Sequence, residues 1–289
     1  MEDNQKTTKN SDESSRIYTL YYSFFLIPFM IAIFGAVFFL LFRFITFETN
    51  DASELLNQIK IGSASKRWQS AYELSKVFNN PDHIPNDLSF KNQMISAYNH
   101  SKHDDPLVRS YLAIAMGVTR DNFYADVLTD GLKDDDRESR LAAIQAVGMV
   151  GAKIAIPKLK SLLKESQYSD ERLAITISTG YIGDESSIPF LRELLYDEEP
   201  NIRWDAAVGL AKMGDTSSVF IIENLLDRNY LSSFPELSPS EIDQVISTAI
   251  YVTSILKHDR FYSKLKALAL DKNLKIRNSV IKTLEKNYN

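Results

Sequence analysis

From Ile17 to Phe42 the chain runs for 26 consecutive residues without a charged side chain, and no other stretch of it does the same. Phe24, Phe25, Leu26, Ile27, Phe38, Phe39, Leu40 and Leu41 make this run strongly apolar. As a helix it would extend about 39 Å, at about 1.5 Å per residue, against a hydrocarbon core of about 30 Å. The pattern predicts a transmembrane helix over 17–44. Tyr18, Tyr21 and Tyr22 gather at one end, where amphipathic aromatics favour the water–lipid interface. Arg43 closes the other end and can snorkel outward, and Pro28 predicts a tolerated kink. A cleaved signal peptide is the competing reading, and a buried core helix a third. The leader carries Glu2, Asp3, Asp12 and Glu13, and bulky residues fill the end of the run, which argues against a cleavage site.

The polar first 16 residues read as a disordered tail. Residues 45–64 read as a juxtamembrane linker with a short helix around Ser53–Ile61. Beyond them the hydrophobic pattern becomes periodic. Arg109, Arg140, Arg172 and Arg203 mark the same point in four successive units, at spacings of 31, 32 and 31. Behind each Arg the chain turns small and apolar and then breaks, as in Arg140, Ala143, Ala146, Val147, Gly148, Gly151 and again in Arg203, Ala206, Ala207, Leu210, Gly214, Asp215. Small residues at these spacings let a neighbouring helix come close, and a Gly-Asp pair ends one helix and caps the next. A second helix follows in each unit. Ile156, Leu159, Leu162 and Leu163 correspond to Ile188, Leu191, Leu194 and Leu195, and again to Val219, Ile222, Leu225 and Leu226. These spacings put one apolar face on each second helix.

Two helices per period, each burying a face against the next unit, describe an all-α fold: an α-solenoid over 65–289, clearest over 105–227. The V-R-x-x-A-A-x-x-L-G-x-x-G-D theme resembles HEAT repeats, in particular the short variety named after phycobilisome lyases. Arg67, Trp68, Ala71 and Leu74 resemble a degenerate first unit, and Leu274, Ile276, Arg277, Val280 and Leu284 a terminal half-unit. Between them the loop Asn229–Pro239 breaks the period. The resemblance implies architecture and leaves function open, because such solenoids serve many roles.

Charge changes the picture in one respect. Residues 121–243 hold 23 Asp/Glu against 12 Lys/Arg, a balance of −11, whereas residues 257–289 hold nine Lys/Arg against three Asp/Glu, a balance of +6. No continuous basic stripe exists, which argues against nucleic acid as a partner. The absence of cysteine excludes disulfides, thiolate metal sites and a Cys nucleophile. His100 and His103, followed by Asp104 and Asp105, have a spacing that could serve one metal, against the plainer reading of a loop that ends in a helix cap. The iron-binding hydroxylases built on HEAT-like repeats use His-Glu dipeptides, and none occurs here. The clusters Asp134–Asp136 and Asp197–Glu199 lie where helix dipoles favour acids, and the repeated Arg residues read as stitches between units. No catalytic, metal or cofactor site is expected.

The candidate binding surface is the outward row of the second helices, which in this repeat type usually lines the concave face. It comprises Lys158, Lys160 and Lys164, then Phe190, Arg192 and Tyr196, then Ile221, a mixture typical of interface anchors. The expected function is a membrane-anchored, non-catalytic scaffold or adaptor docking a protein component of a membrane or envelope complex. The alternative is an enzyme, or an accessory of one, of the bilin lyase type. No small-molecule substrate is evident. Basic residues flanking the run are nearly balanced, with Lys6, Lys9 and Arg16 before it and Arg43, Lys60, Lys66 and Arg67 after it. The repeat domain is placed in the cytoplasm, with the periplasm as alternative.

Overall fold

The computed structural model describes residues 25–45 and 51–288. The chain divides into two units, Met1–Thr49 and Asn50–Asn289. In the first unit, helix α1 covers Ile27–Ile45, 19 residues. Pro28 is the second residue of this span, directly after the helical turn at Phe25–Leu26.

The anchor expectation is corrected here. At about 1.5 Å per residue α1 is about 28 Å long. Arg43 lies in its last turn. Among the described residues no helix is long and apolar enough to cross a membrane. Single-pass membrane localisation falls with this finding, as does the membrane complex inferred from it. Tyr18, Tyr21 and Tyr22, and the tail 1–16, lie outside the described residues.

The second unit is helical, with no strand among its described residues. Helix α2 (Ala52–Ile61) buries Leu55, Leu56 and Ile59 and packs on α3 (Ala64–Val77), so it belongs to the solenoid. Helical pairs follow: α3 with α4 (Leu88–His100), α5 (Pro106–Val118) with α6 (Ala125–Gly131), and α7 (Arg137–Met149) with α8 (Ile156–Glu165). Then come α9 (Ser169–Ile182) with α10 (Ile188–Leu194), and α11 (Pro200–Lys212) with α12 (Val219–Leu225). After the short α13 (Arg228–Leu231), helices α14 (Pro239–Thr253), α15 (Arg260–Leu268) and α16 (Leu274–Asn287) complete the chain.

The first helices α3, α5, α7, α9 and α11 pack each on the next, and the small residues explain how. A Cβ added at Gly117 would lie 2.9 Å from the Ala146 Cα, and one at Gly148 would lie 2.8 Å from the Ser178 Cα. One at Gly180 would lie 3.1 Å from the Gly209 Cα. Backbones therefore meet almost directly along this layer. The second helices contribute the rest of the core, with Leu159, Leu191 and Ile222 fully buried as their repeated positions predict. Asp105, Asp121, Asp136, Asp184 and Asp215 each accept a hydrogen bond from a backbone N–H at the start of the following helix or turn.

The irregular segment after Asp227 keeps its own packing. Trp204 meets Phe234 edge-on, with ring centroids 4.9 Å apart, and Tyr230 joins them. Arg228 reaches Asp271 at 2.8 Å and Asp243 at 2.7 Å, tying the inserted turn to the two units beyond it. Ser238 and Glu241 form a reciprocal capping box that restarts the helical pattern at α14.

Candidate functional site

The repeated arginines do not project as an anion ladder. Arg109 binds the Asp134 carboxylate and donates to the Tyr98 carbonyl at 2.7 Å. Arg140 donates to Glu171 at 2.6 Å and to the Asp134 carbonyl at 2.7 Å. Arg172 binds the Asp197 carboxylate, while Arg203 donates to the carbonyls of Asp197 and Glu198 at 2.7 and 2.9 Å. Asp134 and Asp197 thus each join two successive arginines, one through the carboxylate and one through the main chain. The acidic clusters and the arginines are structural stitches.

The second-helix row is largely occupied by the fold itself. Phe190, expected outside, is only 4% exposed and packs in the core, because the seam between α8 and α10 closes over it. Lys160 hangs over its ring, with Nζ 6.0 Å from the centroid. Lys158 pairs with Asp130 of the preceding unit at 3.0 Å. Arg192 pairs with Asp215 of the following unit, its Nε 3.1 Å from the carboxylate. Burial alone would push Asp215 up, but the bonds from Arg192 and Ser217 outweigh it and hold its pKa below the usual carboxylate value. Ile221 is half-buried against the core. Lys160, Lys164, Arg192 and Tyr196 remain exposed, Tyr196 at 88%. The row is in part a seam between units, with Phe190 buried and Tyr196 its prominent exposed aromatic.

The larger concavity lies on the first-helix layer. A groove of about 1090 Å³ runs across the ends of α3, α5, α7 and α9. Its lining includes Ile84, Val118, Leu141, Met149, Leu173, Ile177 and Tyr181. Val118, Met149 and Tyr181 each follow the marker arginine of their unit by nine residues, and the half-exposed Leu141 and Leu173 follow theirs by one. Stacking of equivalent helices therefore lines up equivalent apolar positions into continuous rows. Met149 is 43% exposed and Tyr181 67%. Lys212, at the same position in the next unit, places Nζ 4.5 Å from the Tyr181 ring centroid, a cation–π contact. On α11 burial pushes the Asp205 carboxyl up to about 6, partly opposed by Lys212. The signal for this groove was present in the sequence as apolar residues at an outward-facing repeat position.

Among the described residues no group of three or more His, Asp or Glu side chains converges to hold a metal ion. Asp105 caps α5 by accepting from the Leu107 N–H at 2.9 Å.

Comparison with known proteins agrees with this geometry. The HEAT repeat family matches residues 97–179 and 170–231. This stretch is built of HEAT repeats. Its solenoid is similar to the phycocyanin lyase complex of CpcE and CpcF from Nostoc sp. PCC7120, with a TM-score of 0.58 and 16% identity over 83% of this chain and 88% of that one. It is also similar to YIBA_ECOLI, with a TM-score of 0.49 and 17% identity over 82% of each chain. Identities this low show the HEAT-type fold alone. No curated protein matches the sequence.

Proposed function

We propose that this HEAT solenoid is a non-catalytic scaffold that docks a protein partner along the first-helix groove. The observation that carries the reading is the uncovered apolar row Val118, Met149 and Tyr181 with its neighbours Leu141, Leu173 and Ile177. A contiguous apolar surface of this kind, repeated in register over three units, is costly to leave in water and marks an interaction face. That replaces the second-helix row as the docking face, since most of that row is engaged in inter-unit contacts. The phycocyanin lyase structure is itself a complex of two chains, CpcE and CpcF, which supports partner binding as the mode of action of such a solenoid.

Photo-crosslinking in cells tests the proposal, with the crosslinker placed at Met149, Tyr181 or Tyr196 in turn. Protein adducts are expected from Met149 and Tyr181, and a Met149→Glu change should abolish those formed from Tyr181. Adducts from Tyr196 alone would return the docking face to the second helices. Adducts from none of the three would refute the scaffold reading.

A further inference from the structure

The first helical pair encloses a second cavity, of about 510 Å³, separate from the groove. Four basic side chains converge on it from different elements: Lys60 at the end of α2, Arg67 in the first turn of α3, His100 at the end of α4, and His103 just beyond. The hydroxyl residues Ser96 and Ser101 also line it, and Ile59, Ala97 and Val108 supply an apolar wall. Asp104 is the one carboxylate in the lining, and it is already engaged by Arg67 at 2.6 Å. Arg67 donates a further bond to the Gly62 carbonyl at 3.2 Å, yet its buried Nε finds no partner. The Lys60 ammonium touches the neutral Gln93 side chain at 3.1 Å and makes no ion pair with a carboxylate among the described residues. The His100 Nδ1 lies 2.7 Å from the Ser96 carbonyl, which can only accept, so this nitrogen carries the proton. Positive charge and unspent donors therefore outnumber acceptors around the cavity.

We infer that this cavity binds a small molecule carrying an oxyanion, a carboxylate or a phosphate, on an apolar body. Lys60 faces the charged group, Arg67 sets the field behind it, and the exposed Ile61 takes the apolar part. Arg and Lys are suited to oxyanions because their N–H donors form charge-assisted bonds that are stronger than neutral ones.

The chain has four histidines, His83, His100, His103 and His258, so imidazole nitrogen NMR of the full-length protein reports position directly. Phenyl phosphate and benzoate are the probes, inorganic phosphate tests the charge alone, and benzyl alcohol tests the apolar body alone. Saturable shifts at His100 and His103 are expected with phenyl phosphate or benzoate, while His83 and His258 stay still. The tighter of the two probes identifies the headgroup. Inorganic phosphate should bind more weakly, and Lys60→Met should weaken the preferred probe about tenfold, the value of one charge-assisted bond. Lys282→Met, on the terminal helix, is the control and should change nothing. Equal shifts at all four histidines, equal binding of benzyl alcohol, or an unaltered affinity in Lys60→Met would each overturn the inference.

Discussion

Replacing Arg140 by Met probes the stitching of the solenoid at its most buried charge. Arg140 donates to Glu171 at 2.6 Å, and the Glu171 side chain is only 2% exposed. Its other oxygen accepts from the Ser166 hydroxyl, and Arg140 also serves the Asp134 carbonyl at 2.7 Å. Methionine keeps most of the stem but leaves the Glu171 carboxylate without a cation and the carbonyl without its donor. Removing one partner of a buried pair costs about 3–5 kcal/mol, far more than the pair is worth against a neutral replacement. The double change Arg140→Met with Glu171→Gln takes out both charges and should recover about 2 kcal/mol relative to additive losses. Urea unfolding of the four proteins in a double-mutant cycle gives these values. Hydrogen exchange in α7 and α9 shows whether the loss lies at that seam, which matters because repeat arrays can open locally. A loss below about 1 kcal/mol would mean the pair behaves as a solvent-exposed one, and an additive cycle would mean the two side chains do not share the interaction.

Two further changes follow from single features of the fold. Gly151, Gly183 and Gly214 adopt left-handed backbone at the break after the first helix of their units, but the equivalent Arg120 does so with φ of 55°. Arg120→Gly removes a strain of roughly 1–2 kcal/mol and adds some unfolded-state entropy, so a net gain of about 1 kcal/mol is expected in urea unfolding. A loss of stability would show that the Arg120 side chain contributes a contact of its own. Asp205 has a folded pKa raised to about 6 by burial, so the fold favours its protonated form. Its contribution is fully present below the unfolded value and is lost as pH rises through about 6. The full linkage is about 3 kcal/mol, reduced by the partial solvent access of the carboxyl, so Asp205→Asn should gain about 1–2 kcal/mol at pH 7. That gain should vanish below about pH 4, where Asp205 is protonated in both folded and unfolded chains. Thermal unfolding across this range checks the sign, and a gain independent of pH would refute the assignment.

The repeats could be read from the chain alone because their causes are local. An Arg every 31 or 32 residues, small residues behind it, and Leu191-type positions on the second helix each state which face a helix must bury. The buried state of Leu159, Leu191 and Ile222 follows from that periodicity without knowledge of the neighbours. Which outward face stays open does not follow, because that depends on how far one unit is rotated and pressed against the next. Phe190 has the same apparent outward register as Lys158, yet the adjoining unit closes over it. Met149 and Tyr181 stand at an outward-facing repeat position in the sequence, but only the close approach at Gly148 and Gly180 aligns them along one groove. The apolar run shows the same division. Its 26 uncharged residues fix hydrophobicity, but among the described residues no helix is long and apolar enough to cross a membrane. The residues of the proposed anion cavity lie as far apart as Lys60 and His103, and only the packing of α2, α3 and α4 brings them to one place. Sequence periodicity determines what each helix buries against its own pair, while the superhelical stacking of units decides what remains for a partner to touch.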